Sequence, residues 1–135
     1  MKCLRTLFPL LATMLMATFA HTQKGRAVNV TVPEELEATL FSPNTLTPCV
    51  ACIGVAPTGE VFAGVDQIGS LGKGGGKGKI IRLIDADNDG ISEAHTVYAV
   101  IDNPRGIVPV GDKLYVLHTK WGEGKKFEGM FLSVL

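Results

Sequence analysis

The chain is poor in the residues that announce the commoner chemistries. It has three cysteines, three histidines and one tryptophan in 135 residues. Its 13 basic and 13 acidic side chains cancel, so it lacks the one-signed charge with which a protein neutralises nucleic-acid phosphates. The apolar run Leu7 to Ala20, about 14 residues, falls short of a membrane span. Beyond Cys3 only Cys49 and Cys52 remain. Two cysteines cannot close a zinc site, and Ile53 stands where haem attachment needs a histidine. The run Lys73-Gly74-Gly75-Gly76-Lys77-Gly78-Lys79 is rich in glycine and lysine. It lacks the order of a phosphate loop and no helix follows it, which excludes that mode of nucleotide binding.

What is present begins with an export pattern. Lys2 and Arg5 precede the apolar run, which ends on Ala20 with Thr18 two residues before it. That is the layout of a secretory signal peptide over 1–20, and it predicts a periplasmic or extracellular protein with no membrane span after cleavage. Cys3 lies before the apolar run, so it is not a lipid-attachment cysteine. Roughly 115 residues then remain, enough for one small domain. Val50-Ala51 and Ile53-Gly54-Val55 surround Cys49 and Cys52 and read as a strand rather than a helix opening. In an oxidising compartment the pair is open to three readings: a disulfide, an oxidisable pair, or two small apolar residues in a strand.

From there the pattern is β. Apolar, β-branched runs occur at Cys52–Val55, Glu60–Asp66, Lys79–Ile84, Thr96–Ile101, Gly106–Val110 and Lys113–His118. Pro57-Thr58-Gly59 and Gly111-Asp112 supply turns between them. Residues Pro33 to Phe41 are ambiguous between helix and strand. Between the third and fourth runs stands Asp85-Ala86-Asp87-Asn88-Asp89-Gly90. Alternate carboxylates closed by a glycine are how a short loop wraps oxygens around a hard cation such as Ca²⁺. An EF-hand is excluded, because its twelfth position is Thr96 rather than Glu and the flanks are strands. Asp85, Asp87 and Asp89 are the candidate side-chain ligands, Ile91 a carbonyl ligand and Glu93 a further carboxylate. The metal-free alternative is a solvated Asp/Asn/Gly turn.

The segment Ile53 to Phe62 resembles Gly106 to Tyr115, and Ile80-Ile81-Arg82-Leu83 resembles Met130-Phe131-Leu132-Ser133. A period of about 52 residues with four short strands per unit predicts β-propeller blades. The expected organisation is a signal peptide at 1–20, an N-terminal segment at 21–48 and a partial propeller at 49–135. One whole blade spans 49–101 and an incomplete one spans 104–135. Further blades would have to come from a longer chain. Up-and-down connectivity then sends the acidic loop to one end of the blades. It sends Asp66, Gln67, Lys73, Lys77, Asp102, Arg105, His118 and Trp121 to the other, so a cation in the loop would be structural. Arg105, just before an innermost strand, suits an anionic cofactor or an oxyanion, unless it pairs with an aspartate. His118 suits a general base, unless it is an ordinary rim histidine.

Several of these segments together resemble the N-terminal blades of exported propellers related to glucose/sorbosone dehydrogenases. They are Val55-Ala56-Pro57-Thr58-Gly59-Glu60-Val61-Phe62, Gly64-Val65-Asp66, Gly69-Ser70-Leu71-Gly72, Lys79 to Asp85, Pro104-Arg105-Gly106-Ile107 and Leu114 to His118. The resemblance implies a six-bladed propeller and pyrroloquinoline quinone (PQQ) near the channel mouth. It implies oxidation of a sugar or other small alcohol by hydride transfer to the quinone, with His118 as base and Arg105 serving substrate and cofactor. It also implies that Leu36–Phe41 is a ring-closing strand. The chain carries no cytochrome motif and matches only part of such a propeller, so a fragment alone would be inactive. Two rival readings stand beside it. One is a non-catalytic, Ca²⁺-stabilised propeller that binds carbohydrate or protein. The other is a self-contained β domain with a redox-active Cys49–Cys52 pair.

Overall fold

A computed structural model describes residues 30–66 and 75–135. The expected signal segment, Gln67 and Lys73, and the Gly69–Gly72 stretch lie outside the described residues. Within them the protein is all-β, with a single 3-10 turn at Glu123–Lys125. Seven strands follow in chain order: β1 (Val50–Val55), β2 (Val61–Asp66), β3 (Gly78–Ile84), β4 (Ala94–Val100), β5 (Pro104–Val110), β6 (Lys113–Trp121) and β7 (Phe127–Val134). They form two antiparallel meanders, β1-β2-β3-β4 and β5-β6-β7. The sequence accounts for this locally. Each strand is rich in valine, isoleucine and aromatic residues. The turns at Gly59 (φ 91°) and Gly111 (φ 60°) use the left-handed region open to glycine.

The two sheets pack face to face. Phe62 and Ile80 of the first sheet meet Ile107, Leu114 and Val116 of the second in one buried cluster. Glycine permits the close approach. A Cβ at Gly54 would come within 2.8 Å of the Ile107 carbonyl oxygen, and one at Gly64 within 2.9 Å of the Pro104 Cβ. The opposite face of the first sheet, Ala63, Val65, Ile81 and Leu83, is capped by Phe41 and Leu46 of the N-terminal segment. β2 and β3 are therefore covered on both sides, which is why both read as nearly continuous apolar runs. The second sheet is covered on one face only. Its other face carries Val108, Val110, Leu117, Leu132 and Val134, all exposed, Leu132 by 65%.

The sheets repeat each other in backbone detail. Cys49 (φ 49°) and Asn103 (φ 39°) hold left-handed conformations just before β1 and β5. The Cys49 carbonyl accepts from the Asp66 amide (3.1 Å), and the Asn103 carbonyl accepts from the Thr119 amide (3.3 Å). The ladder then slips between Val50 and Cys52 in β1, and between Pro104 and Gly106 in β5. These features align Ile53 with Ile107 and Phe62 with Tyr115. The β3 and β7 registers align Ile80 with Leu132. The structural match thus differs by one residue at Ile53 and by two at Ile80 from the match read in the sequence, because turn lengths differ between the sheets. Leu36–Phe41 is neither helix nor strand. Thr39 alone makes a bridge.

Because Ile80 is fully buried between the sheets, Ile80→Ala is expected to lower stability by about 2–5 kcal/mol. Gly54→Ala, which drives a methyl into β5, is expected to lower it by about 1–3 kcal/mol. Urea unfolding measures both. Losses below about 0.5 kcal/mol at both positions, the range of uninvolved surface sites, would mean that the sheets do not pack in this way.

Candidate cation site

The turn between β3 and β4 folds around its own carboxylates. Asp85 accepts from the amides of Asp89 (3.2 Å) and Gly90 (2.9 Å), and Asp87 Oδ1 also accepts from Asp89 N (3.2 Å). Asp89 Oδ1 accepts from Ile91 N (2.9 Å), and Glu93 Oε2 reaches back to Ala86 N (2.7 Å). Asn88 (φ 59°) and Gly90 (φ 82°) turn the chain through the left-handed region. Each of Asp85, Asp87, Asp89 and Glu93 can present one oxygen within 4.8 Å of the other three. Four of the five residues expected as ligands thus converge through their side chains. Ile91 enters through its amide, which orients Asp89.

One atom of this cluster lacks a partner. Asp89 Oδ2 is shielded from solvent and no protein donor reaches it. Its carboxyl is pushed above the usual aspartate range, first by desolvation and further by the charges of Asp87, Glu93 and Asp85, while the Ile91 amide opposes the shift. A carboxylate oxygen held dry among other carboxylates is poor design for a bare turn and fits a cation's inner shell. The N-terminal segment braces the loop: Thr39 Oγ1 donates to the Gly90 carbonyl (2.9 Å), and Ser92 N donates to the Phe41 carbonyl (3.0 Å). Sequence reading missed this brace, since nothing local in Thr39-Leu40-Phe41 signals a partner some fifty residues on.

The far end of the sheets, where β2 and β6 finish and β3 and β5 begin, gathers the other candidates. Asp66, fully buried, accepts from Asn103 Nδ2 (2.5 Å), and Asn103 Oδ1 accepts from Trp121 Nε1. Asp102 accepts from the Gly76 amide. Asn103 is thus the hub of a buried link between the sheets, although the sequence shows it only as a turn residue. Arg105 occupies the β5 bulge, close enough to Cys52 for its charge to act on the thiol. Burial nonetheless dominates and raises the Cys52 pKa, with the Gly64 backbone and Arg105 opposing. Cys49 and Cys52 are both free thiols here. A raised thiol pKa leaves Cys52 with little thiolate of its own.

His118 is nine-tenths buried. Its Nδ1 meets the Thr119 carbonyl (3.2 Å), which can only accept, so Nδ1 carries the proton. Nε2 is then left to accept from the Ser133 hydroxyl (2.9 Å). Phe131 lies beside the ring, centroids 6.3 Å apart. Both ring nitrogens are engaged, one by backbone and one by a side chain. Comparison with protein-family models, with curated proteins and with solved structures finds no match.

Because the Asp89 pKa is raised in the folded state, this group favours folding when protonated. That contribution is present at low pH and is lost as pH rises from the ordinary aspartate value, about 4, through the raised one. In chelator, the melting temperature of the native protein is therefore expected to fall relative to Asp89→Asn as pH rises from about 4 towards neutrality. A difference between the two that stays flat across this range would contradict the assignment.

Proposed function

We propose that the two sheets are successive blades of an exported β-propeller, a Ca²⁺-stabilised binding scaffold rather than an assembled catalyst in the part described. One observation carries the blade reading. By the structural match, the exposed face of the second sheet corresponds to the face of the first that seats the second. Gly54 corresponds to Val108, Phe62 to Tyr115 and Ile80 to Leu132. A sheet that seats its successor, followed by a sheet with the same face open, is a head-to-tail repeat, and such repeats form a ring where the rotation per sheet closes. The open apolar face then belongs against a further blade of a longer chain.

In this reading the cation is a clamp. Asp85, Asp87, Asp89 and Glu93 would hold it, and bound Ca²⁺ would offset half the charge of four carboxylates crowded at one turn. Thr39 couples the clamp to the segment that caps the first sheet. The test is a thermal melt of the whole protein after chelation, with Ca²⁺ then restored. At about a hundredfold excess over the dissociation constant, stabilisation of about 2.7 kcal/mol is expected. Asp87→Asn and Glu93→Gln should weaken it. If neither Ca²⁺ nor Mg²⁺ shifts the melt, the clamp is wrong.

The second reading is a PQQ-dependent sugar or alcohol dehydrogenase. It is favoured by the placing of Arg105 and His118 at one end of the second sheet, where Pro104 pairs with His118. Against it, the His118 ring is locked between Thr119 and Ser133 and has no nitrogen left for a substrate proton. The ring as held here does not fit a base beside a quinone. PQQ titration of the whole protein, with dye reduction by sugars, decides this reading. Quinone binding is expected only if His118 and Arg105 are released from their present contacts.

A further inference from the structure

A cleft of about 420 Å³ opens between the sheets, at the end that carries the β1–β2 and β5–β6 turns. This is the end remote from Arg105 and His118. The volume is within the range of small-molecule sites. Phe62 and Leu114 of the inter-sheet cluster line its inner part. Tyr98 stands at its mouth, 41% exposed, edge-to-face on Phe62 with centroids 5.2 Å apart. Tyr98 sits at a defect in the ladder. Ile80 pairs with Ala99 but Ile81 with Val97, so Tyr98 is the extra residue of a β-bulge. Thr96, opposite Arg82, faces the Phe62 side, so Tyr98 two residues on faces it too, and the bulge adds Ala99 to the same side.

The polar groups around that ring are fixed in place. Glu60, just before β2, is ion-paired with Arg82 of β3, and Thr58 Oγ1 donates to the other carboxylate oxygen (3.1 Å). Both members of the pair remain partly exposed, at 24% and 35%. Asp112 and Lys113, on the facing hairpin, complete the rim. The rim thus carries two acids and two bases. A phosphate or other strong anion gains nothing from such a balance, and an alkyl chain is penalised by four charged neighbours. A neutral ligand with an apolar face and many hydroxyls matches it. The apolar face lies on Tyr98, and hydroxyls bridge the planar carboxylate and guanidinium.

The geometry points to a saccharide-binding cleft between the sheets, centred on Tyr98 and the Glu60–Arg82 pair. It deepens the binding reading above, and it requires neither the cation nor a closed ring. The experiment is calorimetric titration of the whole protein, in Ca²⁺ and in chelator. The probes are glucose, galactose, mannose, N-acetylglucosamine, maltose and cellobiose, with a proline-rich peptide as the alternative. At least one saccharide is expected to bind. Tyr98→Ala should weaken it about tenfold or more, the scale of one lost ring contact, while Tyr98→Phe retains it. Asp112→Asn, on an exposed hairpin tip that cannot unfold the sheets, should weaken it by a smaller factor. If no saccharide binds, if only the peptide binds, or if Tyr98→Ala and Asp112→Asn both leave affinity unchanged, the inference is overturned. Failure here with an intact Ca²⁺-dependent melt would leave the proposed scaffold standing.

Discussion

The seam between the two sheets is the constraint on which the rest depends. Backbone of β1 and β2 lies almost in contact with β5, and it does so through Gly54 and Gly64, where no side chain intervenes. That closeness lets Ile107, Leu114 and Val116 bury against Phe62 and Ile80. A buried polar link, Asp66 to Asn103 to Trp121, fixes the relative position of the sheets at one end. The apolar term is the larger and is indifferent to alignment. The polar link is smaller but tolerates little displacement, so it sets where one sheet stands on the other.

The same seam organises the two ends of the molecule. At one end the chain crosses from β4 to β5 through Asp102 and Asn103. Polar groups there are consumed in joining the sheets: Asp66, Asn103 and Trp121 satisfy each other, and His118 is satisfied by Thr119 and Ser133. At the other end the hairpin turns splay apart, leaving a cleft with an aromatic ring and fixed charges. The carboxylate-rich turn also lies at this end, tied to Thr39. Groups available to a ligand therefore gather where the sheets diverge, and groups that hold the fold gather where they converge.

Much of this could be read from the residues. The strands were legible because β-branched and aromatic runs alternate with Pro-, Gly- and Asp-rich turns. The convergence of Asp85, Asp87, Asp89 and Glu93 was legible because it is local to one turn. The bulges at Ala51, Tyr98 and Arg105 were not, since an inserted residue leaves no mark on composition. Those at Ala51 and Arg105 recur at the same place in both sheets, and the one at Tyr98 leaves Ala99 on the same side as the ring. Asn103 and Thr39 also escaped, because their partners are distant in sequence. His118 read as an available base because it ends a run of apolar residues. The register of β7, which brings Ser133 and Phe131 alongside the ring, leaves no trace in that run.

An experimental structure of the whole protein, grown with Ca²⁺, tests the central claim most directly. The account predicts another sheet seated on Val108, Leu117 and Leu132 in the relation that the second sheet bears to the first. A solvent-exposed face at these residues, or a helix packed across them, would contradict it.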